Sequence, residues 1–472
     1  MELRTDRDKV AHLLRRFGLG ASQAEVDFYS KNGLRGAIDA LLNYDQVDEG
    51  FDVPIVNFRD VKGRVNIVHV QSWWVARMLI TRRPLQEKMT LFWHNHFATS
   101  ASKVPQANLM YQQNETLRQN ATGRFQAILT AVSKDPAMLL WLDNQYNVKG
   151  KANENFAREV MELFTLGIGH YSEKDIQESA RAFTGWSMKR VPDETTPFGP
   201  KVKPIVFNFR PFQHDDGEKE FLGNKGTFDG DDIVGILCGN PQSSRFLVKK
   251  MWSWFVYPDP APALIEKLAA DFHGNGMDVK RLIRNIMESD EFYSDQAYRH
   301  EFKNPVDFVI APMRQLGIGA QISEAVKGTE EIPPVIRGIL GAAQRSLKDM
   351  GMSLFFPPDV SGWDGGPAWV TSATMIERVQ FGSTLFGDHA ATTRRANIRY
   401  AAYALLQDQP TVEAAVTKLI SLFDVELPVE KRRELVHVAM EQSRGTIAED
   451  NANSVAATVC RLMFGTPEFQ FC

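Results

Sequence analysis

The sequence predicts a mostly α-helical protein: a multi-helical single large domain with a small β-hairpin insert around residues 202–222. Three observations predict it. Apolar residues recur at i, i+3, i+4 and i+7 through most of the chain, the period of a helix with one buried face. Ser or Asp caps with an acidic residue three positions on, and glycines at the far end, punctuate these runs. Only residues 202–212 alternate bulky and polar side chains, in KPIVFNFRPF, which is the period of a strand.

Taken in order, residues 11–17 form a short helix ended by Gly18 and Gly20. Ser22 with Glu25 is a capping box opening a helix to about residue 31, and 34–42 is a third helix. The Arg15–Arg16 pair suits either a phosphate or acidic residues elsewhere. Residues 45–64 read as an irregular linker, and 65–80 as a helix carrying Trp73 and Trp74. Pro84 fits the first turn of the next helix, to about Phe97. There Leu85, Met89, Phe92 and His96 share a face, while His94 points nearly opposite. A continuous helix therefore cannot offer both imidazoles to one metal; a break near His94 would let them converge. His96 on an apolar face reads as a hydrogen-bonded core histidine or as a ligand or acid–base group. Helices over 108–119 and 125–134 follow, and Asp135–Pro136 breaks the pattern before an apolar run and a polar loop.

Residues 153–186 read as two helices around a glycine-bounded turn. On the first, Phe156, Val160, Leu163 and Phe164 share one side, and Asn155, Glu159 and Glu162 a second stripe. Gly167 and Gly169 end it, and Ser172 with Asp175 caps the second helix. Two carboxylates three residues apart beside Arg158 suit a metal or acid–base site; Glu154–Arg158–Glu162 pairing on a solvated face is the plain alternative. Residues 192–204 are a proline-rich loop, after which 202–212 pairs with 219–222 as a hairpin. QHDDG lies between its arms, so His214, Asp215 and Asp216 form either a metal or catalytic cluster or a polar turn. Helices are expected at 229–238, 243–257, 263–273, 278–292, 305–316 and 333–350, with Lys249–Lys250 on a solvated face. An ordered loop with Trp363, Asp364 and Trp369 precedes a helix over 371–386. Its tryptophans either stack on a flat ligand or plug a gap between helices. Residues 397–406, 412–422, 429–442 and 453–464 complete a C-terminal bundle. Pattern changes divide the chain at 1–64, 65–190, 191–228, 229–390 and 391–472.

Composition bounds the function. The chain has 472 residues, 43% apolar and 24% charged, with net charge −4. That is ordinary for a globular protein and lacks the basic run a nucleic-acid partner needs. No apolar run approaches the ~18–20 residues of a membrane span. Cys238, Cys460 and Cys472 form no CxxC, which disfavours a thiolate zinc site and c-type haem. Nucleotide-binding glycine loops, HExxH and GxSxG are missing, and Glu159-x-x-Glu162 lacks the histidine of a di-iron ExxH. With no leader visible, the expectation is a cytoplasmic protein; the alternative is an exported one whose leader is not part of this sequence.

Six ordered blocks carry a resemblance. They are HLLRRFGLG (12–20), EKMTLFWHNHF (87–97), the stretch 153–186, FQHDDGEKEFLG (212–223), FKNPVDFV (302–309) and PPDVSGWDGGPAW (357–369). Together they resemble the bacterial family catalogued as domain of unknown function 1800, over nearly the whole chain. The resemblance implies no particular activity and no catalytic residue. It implies frequent export and, as functional partner, a sulfatase-like protein often encoded alongside.

Two functions follow as expectations. The first is a metal-dependent enzyme, with hydrolysis the simplest chemistry, acting on an unknown, glycan-like substrate. His94, His96, Glu159, Glu162 and His214 would hold zinc, iron or manganese. Glu159, Glu162, Arg158, His214 and Asp215 would act on a substrate positioned by Asn155, Trp363, Asp364 and Trp369. The second is a non-catalytic helical scaffold that binds a glycan or partner protein through Trp363–Trp369.

Overall fold

Most helices fall close to their expected bounds, but the first begins at Asp6 rather than residue 11, the one expected over 278–292 ends at Met287, and Ile318–Val326 is an additional helix. Capping boxes at Thr5, Ser22 and Ser172 open the helices Asp6–Phe17, Gln23–Tyr29 and Glu173–Ala182. The helix Val412–Leu422 matches its expected bounds at both ends. The computed structural model describes residues 3, 5–387 and 398–472. The start of the helix expected from Asn397 and the boundary set at 390/391 lie outside them; the described helix there is Ala402–Leu406. The result is one mostly helical domain with two small antiparallel sheets.

Two apolar clusters make the core. One gathers Ile67–Ile80, Pro305–Gln315, Pro334–Asp349, Ser372–Phe386 and Ala452–Phe464. The other gathers Asp6–Phe17, Gly33–Leu42, Phe125–Ser133, Pro241–Phe255 and Val279–Met287. The helix Pro84–His96 feeds both, Leu91 into the first and Leu85, Met89, Phe92 and Trp93 into the second. Every one of its residues is buried. A helix covered on all sides must pair its charges, because an unpaired buried ion is costly. Glu87 accordingly meets Arg118 and the Trp74 indole, and Lys88 meets Asp307.

The hairpin pairing differs from expectation. β1 (Trp186–Arg190) pairs antiparallel with β2 (Ile205–Phe209), Trp186 opposite Phe209. β3 (Lys219–Phe221) pairs with β4 (Asn224–Gly226) instead of with β2. The proline-rich segment is thus the loop of the first hairpin. Leu222 and Gly223, at φ 46° and 79°, close the second with a two-residue turn.

The first helix of 153–186 also departs from a plain α-helix. It runs Glu154–Glu159 and then widens to a π-helix over Val160–Thr165. Thr165 Oγ1 donates to the Val160 carbonyl at 2.6 Å, and Leu166 N–H reaches back to Met161 O at 2.8 Å. The wide turn aims the Phe164 carbonyl at His96.

Candidate functional site

Charged residues spaced along buried helices converge on one cavity of about 390 Å³. Lys88 and Asn95, seven residues apart and so on one helix face, supply its floor. Lys250, Ser253 and Trp254 line it from the helix Pro241–Phe255. Glu301, Asn304 and Asp307 come from the start of the helix Pro305–Gln315, and Arg15 and Arg16 from the end of Asp6–Phe17. The 361–369 loop closes it with Trp363, Asp364 and Trp369. Four of the six blocks quoted above therefore meet here, although they span residues 12–369.

The loop is held from below by the HNH segment. Asn95 Oδ1 accepts the Trp363 N–H at 2.7 Å. Gly362 sits against Asn95 at φ 90°, and a Cβ there would lie 2.4 Å from Oδ1 and 2.5 Å from the carbonyl. His94 Nε2 accepts the Phe355 N–H at 3.1 Å, fixing a residue held at φ 65°. Burial pushes the His94 pKa down to about 3, so it is a neutral acceptor. His96 Nε2–H donates to the Phe164 carbonyl at 3.2 Å; burial, aided by the nearby Lys250 charge, holds it neutral as well. The helix is continuous through His94, so the two imidazoles never converge.

Most charges around the cavity already have partners. Arg15 pairs with Asp424 at 2.6 Å, Lys88 with Asp307, and Asn304 donates to Asp307 at 2.7 Å. Arg16 donates to the carbonyls of Phe255, Val256 and Cys472 at 2.8, 3.2 and 3.3 Å. Among the described residues, the side chains of Lys250 and Glu301 have neither a hydrogen bond nor an ion pair. Burial lowers the Lys250 amine to about 8. Burial raises the Glu301 carboxyl to about 7, against the pull of Arg16. An acid and a base brought near neutrality, facing one cavity, can take or give a proton to what binds there. Lys250 thus lines a cavity, not the solvated face expected for Lys249–Lys250.

Of the residues expected to act together, Arg158, Glu159 and Glu162 stay side by side on one helix, whereas His94, His96, His214 and Asp215 are tied to other partners. Arg158 pairs with Glu173 at 3.0 Å and Glu154 at 3.4 Å. Glu162 accepts the Tyr171 hydroxyl at 2.7 Å. Glu159 is half-buried; burial and the neighbouring Glu162 and Asp359 charges raise its pKa. Asn155 is exposed at the helix start, where its N–H is taken by the Asn153 cap. His214 Nδ1 donates to the Thr184 carbonyl at 3.0 Å. Asp215 is gripped by Arg181 at 2.9 and 3.1 Å, which holds its pKa at about 2, too acidic for a base at neutral pH. Among the described residues, no three of His, Cys, Asp and Glu are arranged to hold a metal ion. The ligand set His94, His96, Glu159, Glu162 and His214 is therefore not assembled. Trp363 and Trp369 are only 7% and 6% exposed, so they form walls rather than a projecting platform. Sequence reasoning missed Lys250, Trp254 and Glu301. Lys250 and Trp254 carry only the linear signal of one helix face, four residues apart in Pro241–Phe255, and Glu301 lies in the irregular stretch before Pro305, where spacing gives no signal.

A family model described as Protein of unknown function (DUF1800) matches residues 12–471, and the chain belongs to that family. No curated protein and no solved structure matches. Among the described residues, no helix is long and apolar enough to cross a membrane.

Proposed function

We propose that this family member binds a small, polar, ring-bearing ligand of carbohydrate type in the cavity beneath the 361–369 loop. The observation that carries the reading is convergence: five distant segments build one cavity in which, among the described residues, the charged side chains of Lys250, Glu301 and Asp364 have neither a hydrogen bond nor an ion pair. Trp254, Trp363 and Trp369 would give the ring an apolar wall. Among the described residues, Asn95 Nδ2 and Ser253 Oγ make no hydrogen bond, which leaves them for ligand hydroxyls. The volume of about 390 Å³ lies in the range of small-ligand sites. A larger groove of about 670 Å³ runs beside Phe28 and Tyr29, but its charged side chains Glu25 and Arg314 pair with each other at 2.6 Å.

The test is a tryptophan-fluorescence titration with monosaccharides and uronic acids. Saturable quenching that weakens at least ten-fold in Trp254→Ala, and persists in a Glu159→Gln/Glu162→Gln double variant, supports the reading. Quenching lost in the double variant and kept in Trp254→Ala would move the site to the Glu159–Glu162 face. That outcome would restore the metal-centred alternative.

A further inference from the structure

We infer that Lys250 is the reactive amine of this cavity and holds ligands that carry an aldehyde or ketone carbonyl, as an imine. The inference rests on the cavity being the ligand site, as proposed above.

The argument begins with what surrounds the amine. Lys250 shares a helix face with Ser253 and Trp254, and all three line the cavity. Its Nζ lies over the Phe246 ring, with the centroid 5.7 Å away, and close enough to the neutral His96 imidazole for its charge to act there. No carboxylate neutralises it and no carbonyl accepts from it among the described residues. A lysine that serves packing or stability is normally paired, as Lys88 is with Asp307. An amine left unpaired beside aromatic walls loses part of its preference for the ammonium form, the usual way a lysine becomes a nucleophile. With a pKa of about 8, on the order of a quarter of it is neutral at pH 7.5.

The chemistry balances without an outside reagent. The Nζ lone pair forms a bond to the carbonyl carbon, and the C=O π pair moves to oxygen. One proton leaves nitrogen and one reaches oxygen, giving a carbinolamine. A second protonation of that hydroxyl, with loss of water, gives the protonated imine. Solvent reaching the cavity supplies the proton for that step; Glu301 lines the same cavity, but the charges acting on it are Arg16, Asp307 and Lys88. Hydrolysis by the reverse path releases the ligand.

Lys303 is the internal control. Its amine is also lowered to about 8 by burial, but it lies over the Phe469 ring at 3.7 Å and faces a niche of only about 20 Å³. If low basicity alone directed reactivity, both lysines would react; if the cavity directs it, only Lys250 would.

The experiment treats the 472-residue chain at pH 7 with sodium cyanoborohydride and either glyoxylate or glycolaldehyde, then maps modified lysines by peptide mass spectrometry. Lys250 is expected to be reductively alkylated at least ten-fold faster than its exposed neighbour Lys249, with Lys303 unmodified. A faster glyoxylate arm assigns 2-oxo acids; a faster glycolaldehyde arm assigns open-chain sugars. Labelling of Lys250 no faster than Lys249 overturns the inference. If sugar-induced quenching then survives in wild type and in Lys250→Arg, only the imine is lost. If quenching is absent too, the cavity reading falls with it.

Discussion

Replacing Gly362 by alanine tests whether the 361–369 loop is docked on the HNH helix as described. Two costs can be worked out. Gly362 has φ 90°, a conformation in which an L-residue is strained by about 1–2 kcal/mol. The new Cβ would also lie 2.4 and 2.5 Å from the Oδ1 and carbonyl oxygen of Asn95. The carbonyl belongs to a buried helix and cannot move aside, so overpacking adds about 1–3 kcal/mol. The loop relieves this by lifting, which would break the Trp363 N–H bond to Asn95. The expected result is a loss of about 2–5 kcal/mol in urea unfolding at pH 7, with at least ten-fold weaker ligand quenching. Gly365→Ala is the control: a Cβ there meets nothing within 4 Å, so its effect should stay within about 0.5 kcal/mol. Equal stability and equal quenching in the two variants would refute the docking argument.

Other outcomes follow from buried charge. His12, His94 and His96 all have pKa values lowered by burial from the usual 6.5. The unfolded chain therefore binds more protons below pH 6.5, and stability should fall on acidification by up to about 1.4 kcal/mol per pH unit for each histidine. A flat urea-unfolding profile between pH 6.5 and 5 would contradict this. Glu301 has the opposite sign: its carboxyl is raised from 4.5 to about 7, so its cost appears as pH rises through that window. Glu301→Gln should be neutral at pH 4 and stabilising by up to about 3 kcal/mol at pH 8, and a pH-independent difference would count against it. Glu87→Gln removes the fully buried one of Arg118's two carboxylate partners, leaving the more exposed Glu115, and should cost about 3 kcal/mol by thermal or urea unfolding; a loss under 1 kcal/mol would show the pair is not buried as described.

The helices were legible because their information is local. Ser172 and Asp175 cap within three residues, and Gly167 at φ 82° stops the preceding turn. The π-turn was not, because it is defined by a Thr165 side-chain bond and by where the Phe164 carbonyl meets a helix 68 residues earlier in sequence. The β1–β2 pairing was hidden because WSMKR is short and follows a helix after three turn residues, while the longer alternating stretch lies nearer in sequence to 219–221 than to 186–190. The site was half legible. The tryptophan loop and the HNH segment do meet, but the histidines carry backbone bonds and Asn95 between them does the docking. Lys250 and Glu301 gain meaning only from the absence of partners. That is a tertiary property, which no spacing along the chain encodes.

The measurement closest to the central claim is a crystallographic soak with a panel of small ring-bearing polar fragments, sugars included. It does not require knowing the natural ligand. The account predicts that bound fragments cluster in the cavity walled by Trp254, Trp363 and Trp369, with polar atoms toward Lys250 and Glu301. An empty cavity, with fragments gathered instead in the groove beside Phe28 and Tyr29, would contradict it.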